Sequence, residues 1–342
     1  MRAHEKPSFS FQFDVQTELQ RLAAHRQLPD RKIPAPTAQN LLIATWNLTN
    51  LGLQERDTPH LQLMADIMRP FDIVAFQEVA DHIGQLNQLL GFLGNGWDVI
   101  YTDIAGNDER LGYVYKTNRV QPTGLAAELA MRGYERATIV IEGIDPEEDP
   151  FTGFNRNPYI LGFQAGDFSF SVVNVHLYWS NMSWRRLETK ALAKWAKARI
   201  TKLGPPNNDI VLIGDFNMPH VRPGDLIYDE LVGFGLTLPK HSTNLVGTNL
   251  AGDNDYDQIA FFPSRTDEDF TGRMGVFDFD NAIFRDLWND AHPNKRRKVL
   301  PIHPLLHRGS SAALGRVQSL VSRFLNIFTV WEQCAREFSE EL

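Results

Sequence analysis

The stretch Asp209-Ile-Val-Leu-Ile-Gly-Asp-Phe-Asn-Met-Pro-His220 decides how the rest of the chain is read. Its apolar run, Ile210 to Gly214, predicts a short buried strand bounded by a Gly and a Pro. Asp215 and Asn217 stand two residues apart at its end, so in extended chain both side chains leave the same face. A carboxylate beside an amide at the mouth of a buried strand can activate a water and hold it. Asp and Asn also initiate turns, and alone this pair would be read that way. Three more strand-like segments end in the same fashion, and they shift the reading.

Upstream, residues 41–46 predict a first core strand, followed at once by Asn47, and residues 60–68 have helical spacing. Residues 71–76 predict a second buried strand that runs into Gln77 and Glu78, with a helix over 82–92. Residues 97–101 and 111–116 predict paired strands with the turn at 105–108. The pattern weakens over 121–150, where Asp145-Pro-Glu-Glu-Asp-Pro150 reads as an acidic surface turn. A hairpin then pairs 159–163 with 168–175, and its second strand carries Asn174 and stops at His176. Residues 181–203 predict a long helix with seven cations, among them Arg185 and Lys197, read as an amphipathic surface helix. Residues 223–232 predict another helix, and 256–262 a strand opening with Asp257. Residues 314–338 have helical periodicity.

Composition sets the outer limits. An apolar content of 43% and a charged content of 22% suit a folded globular chain. No apolar run approaches the roughly 20 residues of a membrane-spanning helix. A lone Cys334 excludes an internal disulfide framework and argues against a cysteine metal site, and a cytoplasmic protein is the expectation. The net charge of −8 disfavours a broad nonspecific nucleic-acid footprint. A small site whose positive charge comes from a metal is compatible with it. Residues 1–40 read as an arm and linker packed on the domain, 41–290 as the catalytic domain, and 291–342 as an atypical C-terminal segment.

The polar strand ends therefore comprise Asn47, Glu78, Asn174 with His176, Asp215 with Asn217, and Asp257. Strand ends of a sheet converge on one edge, so these groups predict a single pocket. Hard oxygen donors without a thiol suit Mg²⁺ or Mn²⁺. Such a site serves phosphate-ester hydrolysis: the cation neutralises phosphate, a carboxylate prepares water, and a His donates to a phosphoryl oxygen.

The order Thr45-Trp-Asn47, Phe76-Gln-Glu78, Val173-Asn-Val-His176, Gly214-Asp-Phe-Asn217 and Tyr256-Asp257 resembles the endonuclease/exonuclease/phosphatase superfamily over residues 41–262. That superfamily includes deoxyribonuclease I-type nucleases, abasic-site endonucleases, sphingomyelinases and inositol-polyphosphate phosphatases. The resemblance implies a four-layer α/β/β/α sandwich with two mainly antiparallel central sheets. It implies a metal-dependent phosphodiesterase acting on nucleic acid. A phosphatase, a lipid phosphodiesterase or a catalytically impaired phosphate-binding protein are the alternatives. Carried over residue by residue, Glu78 would ligate the cation and Asn47 would complete or support that site. Asp215 would activate water, Asn217 would order Asp215 and hold the phosphate, and His176 would bond the scissile phosphate. Arg156 and Asn174 would contact phosphate, and Asp257 would orient a second His. The family usually closes with Ser-Asp-His, which this sequence lacks, so His292, His303 and His307 are the candidates for that second His. An Asp257 without its His would leave the enzyme impaired.

Overall fold

The computed structural model describes residues 12–285, apart from 30, 39, 54–55, 203–208, 241–246, 250–253 and 268, together with 327–331. In chain order the elements begin with α1 (Val15–His25), β1 (Leu41–Leu51), α2 (Thr58–Met68), β2 (Ile73–Ala80), α3 (Gly84–Leu93), β3 (Trp97–Tyr101), β4 (Glu109–Lys116) and β5 (Gln121–Glu128). They continue with α4 (Gly133–Arg136), β6 (Tyr159–Ala165), β7 (Phe168–His176), α5 (Met182–Lys202), β8 (Ile210–Asp215), α6 (Leu226–Gly233), β9 (Asp257–Phe261), α7 (Pro263–Thr266), β10 (Met274–Gly275) and β11 (Ile327–Trp331).

Two sheets form, one ordered β10-β11-β1-β2-β4-β3 and the other β5-β6-β7-β8-β9. Pairings are antiparallel except β1 with β2 and β7 with β8. Period-2 alternation assigns the two faces of each strand to different clusters. In β1, Leu42, Ala44, Trp46 and Leu48 join a cluster with α2 and α3, while Leu41 and Ile43 join Tyr113, Phe163, Phe170 and Ile213 between the sheets. On the far side, Val173, Val175, Leu212 and Ala260 pack with Leu192, Ala196, Ile227 and Leu231 of α5 and α6. Three apolar interfaces separate four layers, helix, sheet, sheet and helix, the sandwich that the resemblance implied. Each buried large aliphatic or Phe side chain contributes roughly 1.5–3 kcal/mol through water exclusion.

The N-terminal arm is docked. Asp14 caps α1 by accepting from Thr17 N at 2.8 Å. Glu18 Oε2 then accepts from Phe284 N, and His25 Nε2 meets Asp278 Oδ1, both at 2.8 Å. Two elements depart from expectation. β5 forms where the pattern weakened, because it lies at a sheet edge with mostly exposed side chains and carries no apolar period. The helical reading of 314–338 fails at 327–331, which pair antiparallel with β1, so this sheet draws on the segment set apart at 291–342. Among the described residues no helix is long and apolar enough to cross a membrane.

Candidate active site

Strand direction brings the polar residues to one edge. The parallel pairs β1–β2 and β7–β8 end there, and the antiparallel partners β4 and β9 begin there. Ala80 stands opposite Glu109, His176 opposite Asp215, and Asp215 opposite Asp257. Glu109 thus joins the site as the first residue of β4, a position that a strand start at Leu111 had left outside the sheet.

Three local departures from regular strand aim the side chains. β1 shifts register between Asn47 and Leu51, with Thr49 and Asn50 at φ of 48° and 53°. β2 shifts between Phe76 and Val79, with Glu78 at φ of 58°. Bulges re-aim side chains, and left-handed non-glycine residues at such places cost about 1–3 kcal/mol that surrounding bonds must offset. Asn47 Oδ1 accepts from Thr49 N, and Arg56 Nη2 donates to the carbonyls of Leu48 and Thr49, all at 2.9 Å. In β8, Gly214 has φ of 141°, and a Cβ there would lie 2.0 Å from Val175 O, so only glycine lets β8 approach β7 this closely.

The resulting network is short-range. Asn47 Nδ2 donates to Glu78 Oε1 at 2.9 Å and to Asp215 Oδ2 at 3.2 Å, bridging the two sheets. Asp215 Oδ1 accepts from Asn217 N at 2.8 Å, and Asn217 Nδ2 donates to Leu177 O at 2.8 Å. His176 Nδ1 is hydrogen-bonded to the Glu109 carboxylate, and its Nε2 lies 3.7 Å from Asp215 Oδ2. Asp257 is fully buried; its Oδ2 accepts from Thr248 Oγ1 at 3.2 Å, and its Oδ1 has no partner among the described residues.

Burial and charge pull these groups apart. Burial raises the Glu109 carboxyl, but His176 and Arg156 outweigh it and hold the group below its ordinary value. Burial and Arg156 act to lower the His176 imidazole, yet Glu109 and Asp215 outweigh them and hold it above its ordinary value. Asp257 is pushed well up, first by burial and then by the Asp215 and Glu78 charges.

Two residues expected to contact phosphate are engaged with the protein itself. Asn174 donates to Phe76 O at 2.8 Å and Gly112 O at 2.9 Å, while its Oδ1 accepts from Gln77 Nε2 at 2.6 Å. Its N–H donates to Tyr113 Oη at 2.8 Å. The residue ties β7 to the first sheet beneath the pocket. Arg156 donates through Nε to His176 O at 3.1 Å, through Nη1 to Asn155 Oδ1 and through Nη2 to Leu177 O, both at 3.0 Å, and it pairs with Glu109 at 3.2 Å. Asn47 presents its amide nitrogen to the carboxylates, with its oxygen turned to Thr49. Arg185, read as a cation on a surface helix, is buried and donates to the carbonyls of Tyr178, Trp179 and Asn217. His292, His303 and His307 lie outside the described residues.

The donor set fits a divalent cation. Glu78, Glu109 and His176 each offer a ligand atom, all within 4.8 Å of one another. Glu78 is the partly open member, with Asn47 on one oxygen, and the surrounding carboxylates Asp215 and Asp257 add negative charge. Carboxylate oxygens in such excess suit a hard divalent ion.

The model of the Endonuclease/Exonuclease/phosphatase family matches residues 44–227, more than half of the chain. Among solved structures, a family protein from Bacteroides thetaiotaomicron is 20% identical, with a TM-score of 0.48, covering 69% of this chain and 86% of its own. A mannosyl-6-phosphatase from the same species is 19% identical, with a TM-score of 0.45 and coverage of 69% and 87%. TDP2 of D. rerio, complexed with a single-strand DNA product, is 12% identical, with a TM-score of 0.47 and coverage of 85% and 98%. No curated protein matches the chain. The motifs, the two-sheet sandwich and the family match lead to one conclusion: this chain belongs to the endonuclease/exonuclease/phosphatase family.

Proposed function

We propose that the protein is a divalent-cation-dependent phosphodiesterase that hydrolyses nucleic acid. The observation that carries this reading is the meeting of Asn47, Glu78, His176 and Asp215 at one edge of both sheets. Asp215 accepts the proton of the attacking water; Asn47 and Asn217 orient its two oxygens and leave lone pairs for that proton. His176, backed by Glu109, donates through Nε2 to a phosphoryl oxygen. Glu78 would hold the cation, with Asn47 beside it, and the ion would supply positive charge to the phosphate. A new P–O bond forms to the water oxygen, the ester P–O bond breaks, the leaving oxygen takes a proton from solvent water, and Asp215 returns its proton to solvent.

Charge favours a diester. Glu78, Glu109, Asp215 and Asp257 line the edge, and each nitrogen of the Arg156 guanidinium already serves a protein acceptor. A monoanionic diester demands less compensating charge than a dianionic monoester. One observation favours a second reading, phosphate binding with slow turnover: Asp257 Oδ1, where the resemblance places a His, has no partner among the described residues.

The test is hydrolysis of bis-p-nitrophenyl phosphate, p-nitrophenyl phosphate and supercoiled plasmid in Mg²⁺, Mn²⁺ or chelator. The expected result is cation-dependent cleavage of the diester and nicking of plasmid, with the monoester a poor substrate. Faster monoester than diester cleavage would contradict it in favour of a phosphatase. Phosphate binding without cleavage would establish the second reading.

A further inference from the structure

Where α5 covers the second sheet its side chains are apolar, among them Leu192, Ala196 and Ile200, yet Glu188 of the same helix is fully buried. Burying a carboxylate is unfavourable unless hydrogen bonds compensate it. Both of its oxygens accept from the main chain, Oε1 from Asn155 N at 2.6 Å and Oε2 from Tyr178 N at 2.7 Å. Burial pushes the carboxyl above its ordinary value, and these two N–H groups and the Arg156 charge oppose that without cancelling it.

Asn155 and Tyr178 belong to the two segments between which the Arg156 guanidinium is held. Asn155 Oδ1 accepts from Arg156 Nη1, and Leu177 O, next to Tyr178, accepts from its Nη2, both at 3.0 Å. Arg156 Nε in turn donates to His176 O at 3.1 Å and lies 3.2 Å from Glu109 Oε1, the carboxylate bonded to His176 Nδ1. The Asn155 peptide also seats the start of β4. Asn155 O accepts from Gly106 N at 3.0 Å, and a Cβ on Gly106 would lie 2.0 Å from that oxygen, so glycine is needed at the turn into Glu109. One carboxylate on the outer helix thus sets the frame around Glu109 and His176 from two sides.

We infer that Glu188 is a positioning residue of this site: by holding Asn155 and Tyr178 at one spacing it seats Arg156, and through Arg156 the Glu109–His176 pair. The inference rests on the phosphodiesterase reading for the reaction, and on the chain of hydrogen bonds for the residue. The two N–H groups call for a carboxylate, which accepts at both oxygens; an amide accepts at one and turns a donor toward the other N–H.

The test uses the full chain. The kcat and KM for bis-p-nitrophenyl phosphate with Mg²⁺ are measured for wild type, Glu188→Gln, Asn155→Ala and the double variant, per folded molecule from a melt of each. Proton NMR follows the His176 Nδ1 proton, assigned by its absence in His176→Gln. The expected result is a kcat lowered roughly tenfold or more in Glu188→Gln at unchanged KM, in line with the cost of misplacing a reacting group by about 1 Å. The His176 resonance moves, and Asn155→Ala lowers kcat no further in the Gln variant, because both act through Arg156. Glu188→Asp keeps the charge but is too short to span both N–H groups, so it carries the test if Glu188→Gln does not fold. Wild-type kcat per folded molecule overturns the proposal, as do losses that add in the double variant. If the wild type cleaves no diester, the phosphodiesterase reading falls and the resonance decides alone: moved in Glu188→Gln it leaves Glu188 in place, unmoved it overturns the proposal.

Discussion

The polar layer beneath the pocket and the pocket itself use the same residue types in opposite conditions. Beneath, Asn174, Gln77, Tyr113 and Arg156 sit between the sheets with their hydrogen-bonding groups matched to one another and to backbone carbonyls. At the edge, Asp257 Oδ1 is shielded and unmatched among the described residues, and Glu78 is partly open on a left-handed bulge. Matched groups hold the sheets in register; unmatched groups and strained backbone are where a ligand has something to complete. An Asn or Arg at a strand end is therefore assigned by its bonds and not by its motif.

That contrast breaks first at Asp215. Asp215→Asn removes the proposed proton acceptor and is expected to lower kcat about 10³-fold, within the range of a lost general base. Its fold should hold, since the change relieves charge beside Asp257. Asn174→Ala should do the reverse. It removes the side-chain donor to the Phe76 and Gly112 carbonyls and one of the two acceptors of the Gln77 amide, at about 3 kcal/mol of folding free energy. Urea unfolding would register this loss, while turnover per folded molecule stays near wild type. A smaller change is expected for Glu78→Gln. The Mg²⁺ concentration for half-maximal activity should rise roughly tenfold, read from a cation titration, as the ligand loses its charge. An unchanged titration would place the ion elsewhere.

The smallest effect lies away from both regions and serves as a control. The Asp209 carboxyl is pushed up to about 6 from 3.8, chiefly by burial, with Asp269 adding to it and Thr266 opposing. The folded state thus binds this proton more tightly than the unfolded chain, and its contribution to stability is lost as pH rises from about 3.8 to about 6. Asp209→Asn should stabilise the protein by about 1 kcal/mol at pH 7, after allowance for solvent screening, and by nothing near pH 3. Thermal melts across that range would show it, with activity unaffected.

Much of the architecture was legible because buried strands announce themselves. The runs over 41–46, 168–175 and 210–214 fall within β1, β7 and β8, and the run over 71–76 overlaps the first half of β2. β5 was not legible, since an exposed edge strand has no apolar signature. Nor was β11, whose place beside β1 is a pairing between residues far apart in sequence. The strand-end rule named Asn47, Glu78, His176, Asp215, Asn217 and Asp257, and the fold brings these residues to one edge. It missed Glu109, whose signal was available: a carboxylate opening a strand antiparallel to β2 must reach the same edge. It could not separate Asn174 from its neighbours, because the acceptors that occupy its amide come from Phe76 and Gly112, on two other strands. Arg185 was hidden among helical cations, with nothing local to show that it turns inward to the Tyr178, Trp179 and Asn217 carbonyls.

The most direct measurement compares Asp215→Asn with Asn174→Ala in one assay: Mg²⁺-dependent hydrolysis of bis-p-nitrophenyl phosphate, normalised to the folded fraction from a melt of each sample. The account predicts that Asp215→Asn is folded and nearly inactive, while Asn174→Ala is less stable yet turns over at close to the wild-type rate per folded molecule. Full activity in Asp215→Asn, or its loss in well-folded Asn174→Ala, would contradict the division between the pocket and the layer beneath it.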